Sequence, residues 1–237
     1  MTLPAANTTR DPEDSDVPLR ARVRSLGEEV YATLLSRLIS LKIAPGTRIS
    51  VEQLVREFGV SQTPIRAALI RLEAEGLVAK AHNIGYSAAP MPTRGDFEAM
   101  YEMRLLLEPY AARQAAQRIT SDAYAELEAL AAAMSATNEE DAQVAYGKFA
   151  MLDSRFHGWI AAHSGNSLLA ESLSRLYVHI HLFRLRFHSH VTEEAIKEHD
   201  KIVKALKNAD SDGAETAMRD HIVRSRERMQ PFFALLE

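Results

Sequence analysis

The chain has 237 residues, a formal net charge of −4, an apolar share of 46% and a charged share of 25%. This composition is typical of a globular protein with one large or two modest domains, and no apolar run approaches the roughly 20 residues that span a bilayer. The absence of cysteine excludes disulfides and thiolate metal sites.

The N-terminal segment lacks the basic-then-apolar pattern of a secretory signal. Residues 1–21 are rich in Pro, Asp, Thr and Ala and show no hydrophobic periodicity, so we expect a disordered lead. We also expect a cytoplasmic protein with no membrane partner.

Charge is distributed unevenly along the chain. Residues 22–90 hold nine Lys and Arg against six Asp and Glu, a balance of +3. Residues 91–237 hold seventeen against twenty-two, a balance of −5. A basic front and an acidic back indicate two domains, of which only the first suits a polyanion.

Helical spacing of apolar residues begins at about Arg22, and a Pro-Gly turn ends this first helix after Leu41. Ser50 opens a short second helix with a capping-box pattern, and Gly59 ends it. Ser61 can cap a third helix. The stretches LVAK and YSAA around the turn HNIG predict two short strands. This order of elements predicts a winged helix-turn-helix domain over residues 22–90.

After Pro92 the apolar spacing is helical for almost the whole remaining length. The periodicity and the breaks between periodic stretches predict six segments: roughly 94–118, 121–136, 140–164, 167–190, 192–208 and 211–236. They make an all-α six-helix bundle over residues 94–236, so the whole chain is predicted to be mainly α.

Two stretches resemble a known family. Residues 44–78, APGTRISVEQLVREFGVSQTPIRAALIRLEAEGLV, resemble the DNA-binding domain of GntR-family bacterial transcriptional regulators. The bundle opens with FEAMYEMRLLLEPYAARQAA, which resembles the start of the FCD effector domain of the FadR subgroup. The resemblance covers about residues 23–235. It implies a homodimeric regulator, most often a repressor, that binds a palindromic operator in double-stranded DNA.

The start of the third helix would enter the major groove, and the hairpin tip matches the family's minor-groove wing. The candidate DNA-binding residues of these two parts are Ser61, Gln62, Thr63, Arg66, His82 and Gly85. Hydroxyl groups suit phosphate oxygens, whereas Gln62 can pair with adenine and Arg66 with guanine. The family usually has arginine at the position of Gln62, so we do not carry over its base preference at that position. It often has arginine at the position of Glu52 too, so we do not carry over a phosphate or base contact there. An ion pair with Glu57 or a nearby acid is the alternative role for Arg66.

Four ionisable residues lie on helix faces that are normally buried: Asp153, His157, His199 and His221. A single inward histidine is more often a hydrogen-bonded core residue than a ligand. Burying four such groups without partners costs several kcal/mol, so they need each other or a cation. Imidazole and carboxylate ligands suit Zn²⁺, Ni²⁺, Mn²⁺ or Fe²⁺.

The spacing of the four residues resembles the metal-binding group of FCD domains. This resemblance implies that they ligate a divalent transition metal, Zn²⁺ foremost, and leave positions open for water or an effector. The histidines that match no ligand position are His163, His179, His181, His188 and His190.

An open position on a Lewis-acidic ion binds a carboxylate, and a nearby arginine adds charge-assisted hydrogen bonds. Arg104 occupies the position of the FCD pattern that points towards the cavity, with a salt bridge to Glu108 as its alternative role. Arg184 is a second candidate for effector binding. We therefore expect a small organic or sugar acid as the effector.

Two other functions are compatible with such a cluster. The ion itself is the signal in a metal sensor, and a metal with open positions activates water in a hydrolase. No further inward-facing acid suited to act as a general base is apparent, and a DNA-reading domain is attached. We therefore expect a regulator whose operator affinity depends on a carboxylate effector, and no enzyme.

Overall fold

The computed structural model describes residues 19–81, 85–135, 142–176, 181 and 189–231. The helices in these ranges are α1 (Leu19–Ile39), α2 (Val51–Phe58), α3 (Gln62–Ala74), α4 (Arg94–Ala116), α5 (Ser121–Ser135), α6 (Ala142–Ala162), α7 (Ser167–Leu176), α8 (Ser189–Lys207) and α9 (Ser211–Met229). The strands are β1 (Arg48–Ile49), β2 (Val78–Ala81) and β3 (Gly85–Ala88). Helix α1 thus begins slightly before the predicted Arg22, and the rest of the predicted lead, residues 1–18, lies outside the described residues.

The first three helices and the three strands form a winged helix-turn-helix unit, as predicted. The sheet has the order β1-β3-β2, and both strand pairs are antiparallel. Strand β1, which was not predicted, pairs Ile49 with Tyr86 of β3. A two-residue strand is too short to show alternation in a sequence, because alternation needs at least four residues to be recognised.

The turn between α2 and α3 follows local side-chain chemistry. The Ser50 hydroxyl accepts a hydrogen bond from the Gln53 backbone N–H at 3.2 Å. Gly59 adopts a left-handed conformation with φ of 64°, which ends α2 at the predicted residue. Ser61 does occupy the N-cap of α3, but its side chain makes no capping hydrogen bond. The hydroxyl of Ser61 is therefore not used to hold the helix start.

The helices from α4 onwards form the predicted all-α unit. Asn166 accepts a hydrogen bond from the Leu169 backbone N–H at 3.1 Å, which starts α7 after the predicted break. Helix α8 begins at Ser189 and not at residue 192, so the predicted helix over 167–190 extends too far. Residues 177–180 and 182–188, which this prediction also covered, lie outside the described residues. None of the helices in the described part of the chain has the length and apolarity that a membrane crossing requires.

The two units share a continuous apolar core. Buried residues of α1 and α3, such as Leu34 and Leu69, belong to the same cluster as Phe149 and Phe156 of α6. Helices α1 and α6 approach so closely that a Cβ at Gly147 would lie 3.0 Å from the Ser36 carbonyl oxygen. Helix α6, which contacts the winged helix-turn-helix unit, also carries the predicted ligands Asp153 and His157.

Candidate metal centre and DNA-reading helix

The structure brings the four predicted metal ligands together in the core of the bundle. Asp153 and His157 come from α6, and α8 and α9 contribute His199 and His221. One ligand atom from each of these residues lies within 4.8 Å of all the others. All four side chains are buried, with between 1% and 3% of the residue exposed. Helices distant in sequence thus place four polar groups around one point.

The distances within the cluster are those of ligands around a common centre. Asp153 Oδ1 lies 3.3 Å from His199 Nε2 and 3.8 Å from His157 Nε2. The ring centroids of His157 and His221 are 5.1 Å apart, and those of His199 and His221 are 4.6 Å apart. Ligand atoms that bind one ion at about 2.0–2.2 Å lie roughly 3–4 Å from each other. The two measured carboxylate–imidazole distances fall within this range.

Two further buried carboxylates, which the sequence did not assign to the site, accompany the cluster. His157 Nδ1 lies 2.6 Å from Glu108 Oε2 of α4. His221 Nδ1 donates a hydrogen bond of 2.9 Å to Glu198 Oε2 of α8. Sequence reasoning considered Glu108 only as the partner of an arginine. It missed Glu198 because this residue contacts a histidine on another helix.

These carboxylates orient the imidazoles. A carboxylate next to Nδ1 holds the ring with its Nδ1–H outward and leaves the Nε2 lone pair for the centre of the cluster. His221 has this arrangement through its hydrogen bond to Glu198, and Glu108 Oε2 lies close to Nδ1 of His157. Two Nη atoms of Arg228 also bind Glu198, at 2.7 Å and 2.8 Å. The outer shell around the cluster is therefore built from hydrogen-bonded side chains.

Burial determines the protonation of the cluster. It raises the pKa of Asp153 to about 7, although the nearby Arg104 cation opposes this shift. Burial also lowers the pKa of His221 to about 4, so this imidazole is neutral near pH 7. Burial disfavours the charge of Glu198, but hydrogen bonds from His221 and Arg228 lower its pKa to about 2. A cation in the cluster would favour the ionised form of Asp153 and use the lone pair of His221.

The residues present fit a divalent transition metal. Three imidazoles and one carboxylate are ligands that Zn²⁺ and its neighbours in the first transition row accept. The buried carboxylates next to two of the imidazoles are the outer partners that metal-binding histidines commonly have. The cluster can therefore hold an ion.

Arg104 lies beside this cluster. Its Nε donates to Glu108 Oε1 at 2.7 Å, so the salt bridge considered as its alternative role is present. Its Nη2 is buried and has no hydrogen-bond partner among the described residues. The second effector candidate, Arg184, lies outside the described residues.

The other histidines were predicted not to be ligands. His163 stacks on Trp159 with a centroid distance of 3.6 Å and lies outside the cluster. His181 Nε2 lies 3.0 Å from the carbonyl oxygen of Glu75, at the end of α3. His179 and His188, and the side chain of His190, lie outside the described residues.

The start of α3 presents the predicted DNA-binding side chains to solvent. Ser61, Gln62, Thr63 and Arg66 are all exposed, whereas Ile65 is buried beneath them. Arg66 Nε and Nη2 donate weak hydrogen bonds to Gln62 Oε1, at 3.4 Å and 3.3 Å. This face of the helix is available to a partner.

The alternative role of Arg66, an ion pair with Glu57 or a nearby acid, is not found among the described residues, although hydrogen bonds and, to a smaller extent, the charge of Arg66 lower the pKa of Glu52. Glu57 binds Arg37 of α1 instead, at 2.5 Å. In the hairpin, Gly85 is exposed and has a φ of 103°, a backbone conformation that residues other than glycine rarely adopt. The other predicted wing residue, His82, lies outside the described residues.

Two protein-family models match the chain. The model described as "Bacterial regulatory proteins, gntR family" matches residues 26–86. The model of the FCD domain matches residues 99–224. These ranges coincide with the winged helix-turn-helix unit and with most of the bundle, so the two structural units are also the two family units.

Individual proteins show the same likeness. The Nta operon transcriptional regulator of Aminobacter aminovorans is 31% identical over 62% of this chain and 67% of its own length. The HTH-type transcriptional repressor RspR of Escherichia coli is 26% identical over 83% of this chain and 86% of its own length. The solved structure of E. coli McbR/YncC has a TM-score of 0.64 and 21% identity over 90% of this chain and 99% of that one, which shows a shared fold.

Proposed function

The chain belongs to the gntR family of bacterial regulatory proteins and carries an FCD domain, and on this premise we propose how its operator binding is controlled. It is a transcriptional regulator and not an enzyme, because its relatives are transcriptional regulators. We propose that a small carboxylate, an organic or sugar acid, binds at a metal ion in the bundle and changes the affinity for the operator. The proposal implies a cytoplasmic protein.

One observation carries this proposal. Arg104 has a buried Nη2 without a hydrogen-bond partner among the described residues, beside the cluster of Asp153, His157, His199 and His221. Leaving a buried guanidinium N–H unsatisfied is costly, because its desolvation is not compensated. A carboxylate with one oxygen on the ion and the other near Nη2 would compensate it. Arg104 and, on the resemblance to FCD domains, Arg184 are the proposed effector-binding residues.

The proposed metal is a divalent transition ion, Zn²⁺ foremost, with Ni²⁺, Mn²⁺ or Fe²⁺ also compatible. The nitrogen-rich ligand set supports this range, because Mg²⁺ and Ca²⁺ prefer oxygen ligands throughout. Four protein ligands leave positions open on an ion that accepts five or six. An effector carboxylate would occupy such a position.

The proposed DNA contacts are made by the start of α3 and by the wing. The exposed residues at the start of α3 would meet base edges and phosphates in the major groove, and His82 and Gly85 would lie at the minor groove. The proposed target is a palindromic operator in double-stranded DNA, since a two-fold protein reads two equal half-sites. RspR is described as a repressor, which supports repression as the mode of control.

An exposed apolar face supports the homodimer. Leu106 and Tyr110 lie four residues apart on α4 with 64% and 48% of each residue exposed. On α7, which packs against α4 through Ala111 and Leu169, Leu168 is 73% exposed. Large apolar side chains exposed on two packed helices favour an interaction surface there. We propose that a second copy covers it.

The dimer face is tested by one substitution. Leu106→Glu places a charge in the proposed interface, so light scattering should report the mass of a monomer at micromolar concentration. Leu26→Glu is the control, because Leu26 lies on α1 and is 41% exposed. This variant should keep the mass of a dimer. Dimers in both variants would refute this face.

The control of DNA binding is tested with zinc-loaded protein and a panel of small carboxylic acids. A bound acid should raise the melting temperature by mass action and should shift operator affinity in a gel assay at fixed salt. Arg104→Gln should abolish the response to the acid while zinc occupancy remains. A panel in which no acid changes either quantity would contradict the proposal.

Metal sensing is the alternative, favoured by the near-complete burial of the cluster. At most 3% of any of the four residues is exposed, so an organic ligand would have little access to an ion bound there. Zinc and chelator are then titrated against operator affinity with and without the acids. If removal of zinc alone switches DNA binding as fully as any acid does, the ion is the signal.

A further inference from the structure

A cleft of about 480 Å³ lies between the DNA-reading unit and the bundle. Helices α1 and α3 form one wall, and α6 and α7 form the other. Its apolar lining includes Leu35, Met151 and Leu173. None of the four proposed metal ligands lines it, so it is separate from the metal centre. Its volume lies within the roughly 300–1,000 Å³ that is usual for pockets that bind small molecules.

Helix α6 contains two glycines, and packing against a neighbouring helix accounts for only one of them. Glycine weakens the interior of a helix relative to alanine, so each one needs a reason. Gly147 has one, because a Cβ there would overlap Ser36 of α1. Gly158 lines the cleft, and a Cβ built on it meets no atom within 4 Å. Nothing in the described protein requires the depth that Gly158 provides.

At one end of the cleft, the charged side chains already bind one another. Arg71 binds Glu28 and Glu75 and lies 3.6 Å above the ring of Tyr31. The Tyr31 hydroxyl also donates to the buried Glu75 carboxylate, at 2.7 Å. This end of the cleft thus holds two carboxylates against one cation, and all three are hydrogen-bonded within the protein.

The side of the cleft formed by α6 and α7 carries polar groups that form no hydrogen bond with other described residues. Arg155 lines it and forms no ion pair or hydrogen bond with any described residue. The hydroxyls of Ser154 and Ser174 line it too, and they likewise have no hydrogen-bond partner in the described part of the chain. A free cation, two hydroxyls and an apolar floor suit a ligand with one anionic group and an apolar body.

We propose that this cleft is a second ligand site, independent of the metal, for a small amphipathic carboxylate. The carboxylate binds Arg155, and the apolar body lies on Leu35, Met151 and Leu173 in the space above Gly158. Because the two walls belong to different units, the bound molecule bridges the DNA-reading unit and the bundle. Its occupancy therefore biases how the two units are placed, whatever the metal centre holds.

Calorimetry on the full chain tests the site, with hexanoate as the probe and EDTA present to empty the metal centre. Hexanoate should bind, and hexan-1-ol and hexylamine, its neutral and cationic counterparts, should bind at least tenfold more weakly. Arg155→Gln should weaken hexanoate binding about tenfold or more, because a charge-assisted hydrogen bond is lost. Arg175→Gln is the matched control on α7, outside the cleft and bound to Glu171, and should bind hexanoate as the wild type does.

A second variant tests the cavity itself without a risk to the fold. Gly158→Leu fills the cleft from a position with open space, so its melting temperature should not fall, while hexanoate binding should be lost. The proposal is overturned if hexanoate binds only without EDTA, if hexan-1-ol binds as tightly, or if either variant keeps wild-type affinity for hexanoate.

Discussion

The start of α3 and the cluster in the bundle are both polar, but they differ in whether their polar groups need partners within the protein. Gln62 and Arg66 are exposed and share only weak hydrogen bonds of 3.3–3.4 Å. Water satisfies them until a partner arrives. Asp153 and His221 are buried, so their polar groups must be satisfied inside the molecule.

This difference has a consequence for how each site is recognised. The buried cluster shows its chemistry in the structure, through the carboxylates of Glu108 and Glu198 that orient its imidazoles. The exposed helix start shows only that it is available. Substitutions in the cluster should therefore change stability as well as binding, whereas those on α3 should change binding alone.

The largest effect is expected from His199→Ala. The variant should lose zinc, as measured by elemental analysis after gel filtration. It should also lose the stabilisation from bound metal, about 2.7 kcal/mol or more when free zinc exceeds the dissociation constant a hundredfold. His163→Ala removes a histidine that stacks on Trp159 outside the cluster and should keep its zinc. Full zinc occupancy in His199→Ala would contradict the proposal that these four residues bind a metal.

A smaller effect is expected from Glu198→Gln, which keeps the shape of the side chain but removes its charge. His221 and Arg228 lose their anionic partner, so zinc affinity should fall about 10- to 100-fold while the site still fills at high zinc. A competing chelator measures this change. Glu194→Gln is the control, because Glu194 is 60% exposed and 3.5 Å from Arg228. Equal zinc affinities in the two variants would show that Glu198 does not support the ligands.

On the exposed side of the comparison, Arg66→Ala should weaken specific operator binding by about 1–3 kcal/mol if the guanidinium contacts a base. Zinc content and melting temperature should stay unchanged, because Arg66 is exposed and forms only weak hydrogen bonds with Gln62. A gel shift at fixed salt measures the affinity. Arg175→Ala, on the exposed surface of the bundle, should not alter it. Unchanged affinity in Arg66→Ala would remove this residue from the contacts.

The smallest effect concerns α6, the helix that carries half of the cluster and contacts the DNA-reading unit. Gly158→Ala should raise the free energy of unfolding by up to about 1 kcal/mol, because alanine is the better helix former and its Cβ meets no atom. Gly147→Ala should not stabilise, since its Cβ would overlap Ser36. Urea unfolding of both variants measures the contrast, and stabilisation by both would show that α1 and α6 are not in close contact.

Features with a local cause were predictable. Gly59 ends α2 where expected because a left-handed residue is needed to close the helix. Helical periodicity located α4 to α6 within a few residues of their observed bounds. The start of α8 was placed too late, because its first residues carry no break that marks a helix boundary. Strand β1 was missed because its pairing partner lies far along the chain.

The candidate site divides in the same way. Asp153 and His157 could be found from their places on an apolar helix face, and the resemblance to FCD domains linked them with His199 and His221. Glu108 and Glu198 were not recognised as part of the site. Each of them contacts a histidine of another helix, and periodicity within one helix says nothing about such contacts.

By itself, the sequence determined the two units, the exposed start of the recognition helix and the residue types that can hold a metal. These properties depend on local propensity and on which residues are apolar. Only the tertiary structure decided that four helices and two further buried carboxylates surround the cluster, and that a cleft lined by Arg155 lies between the two units. The reason is that burial and contact between distant helices set the charge state and the partners of a side chain, and neither is written in the spacing along one helix.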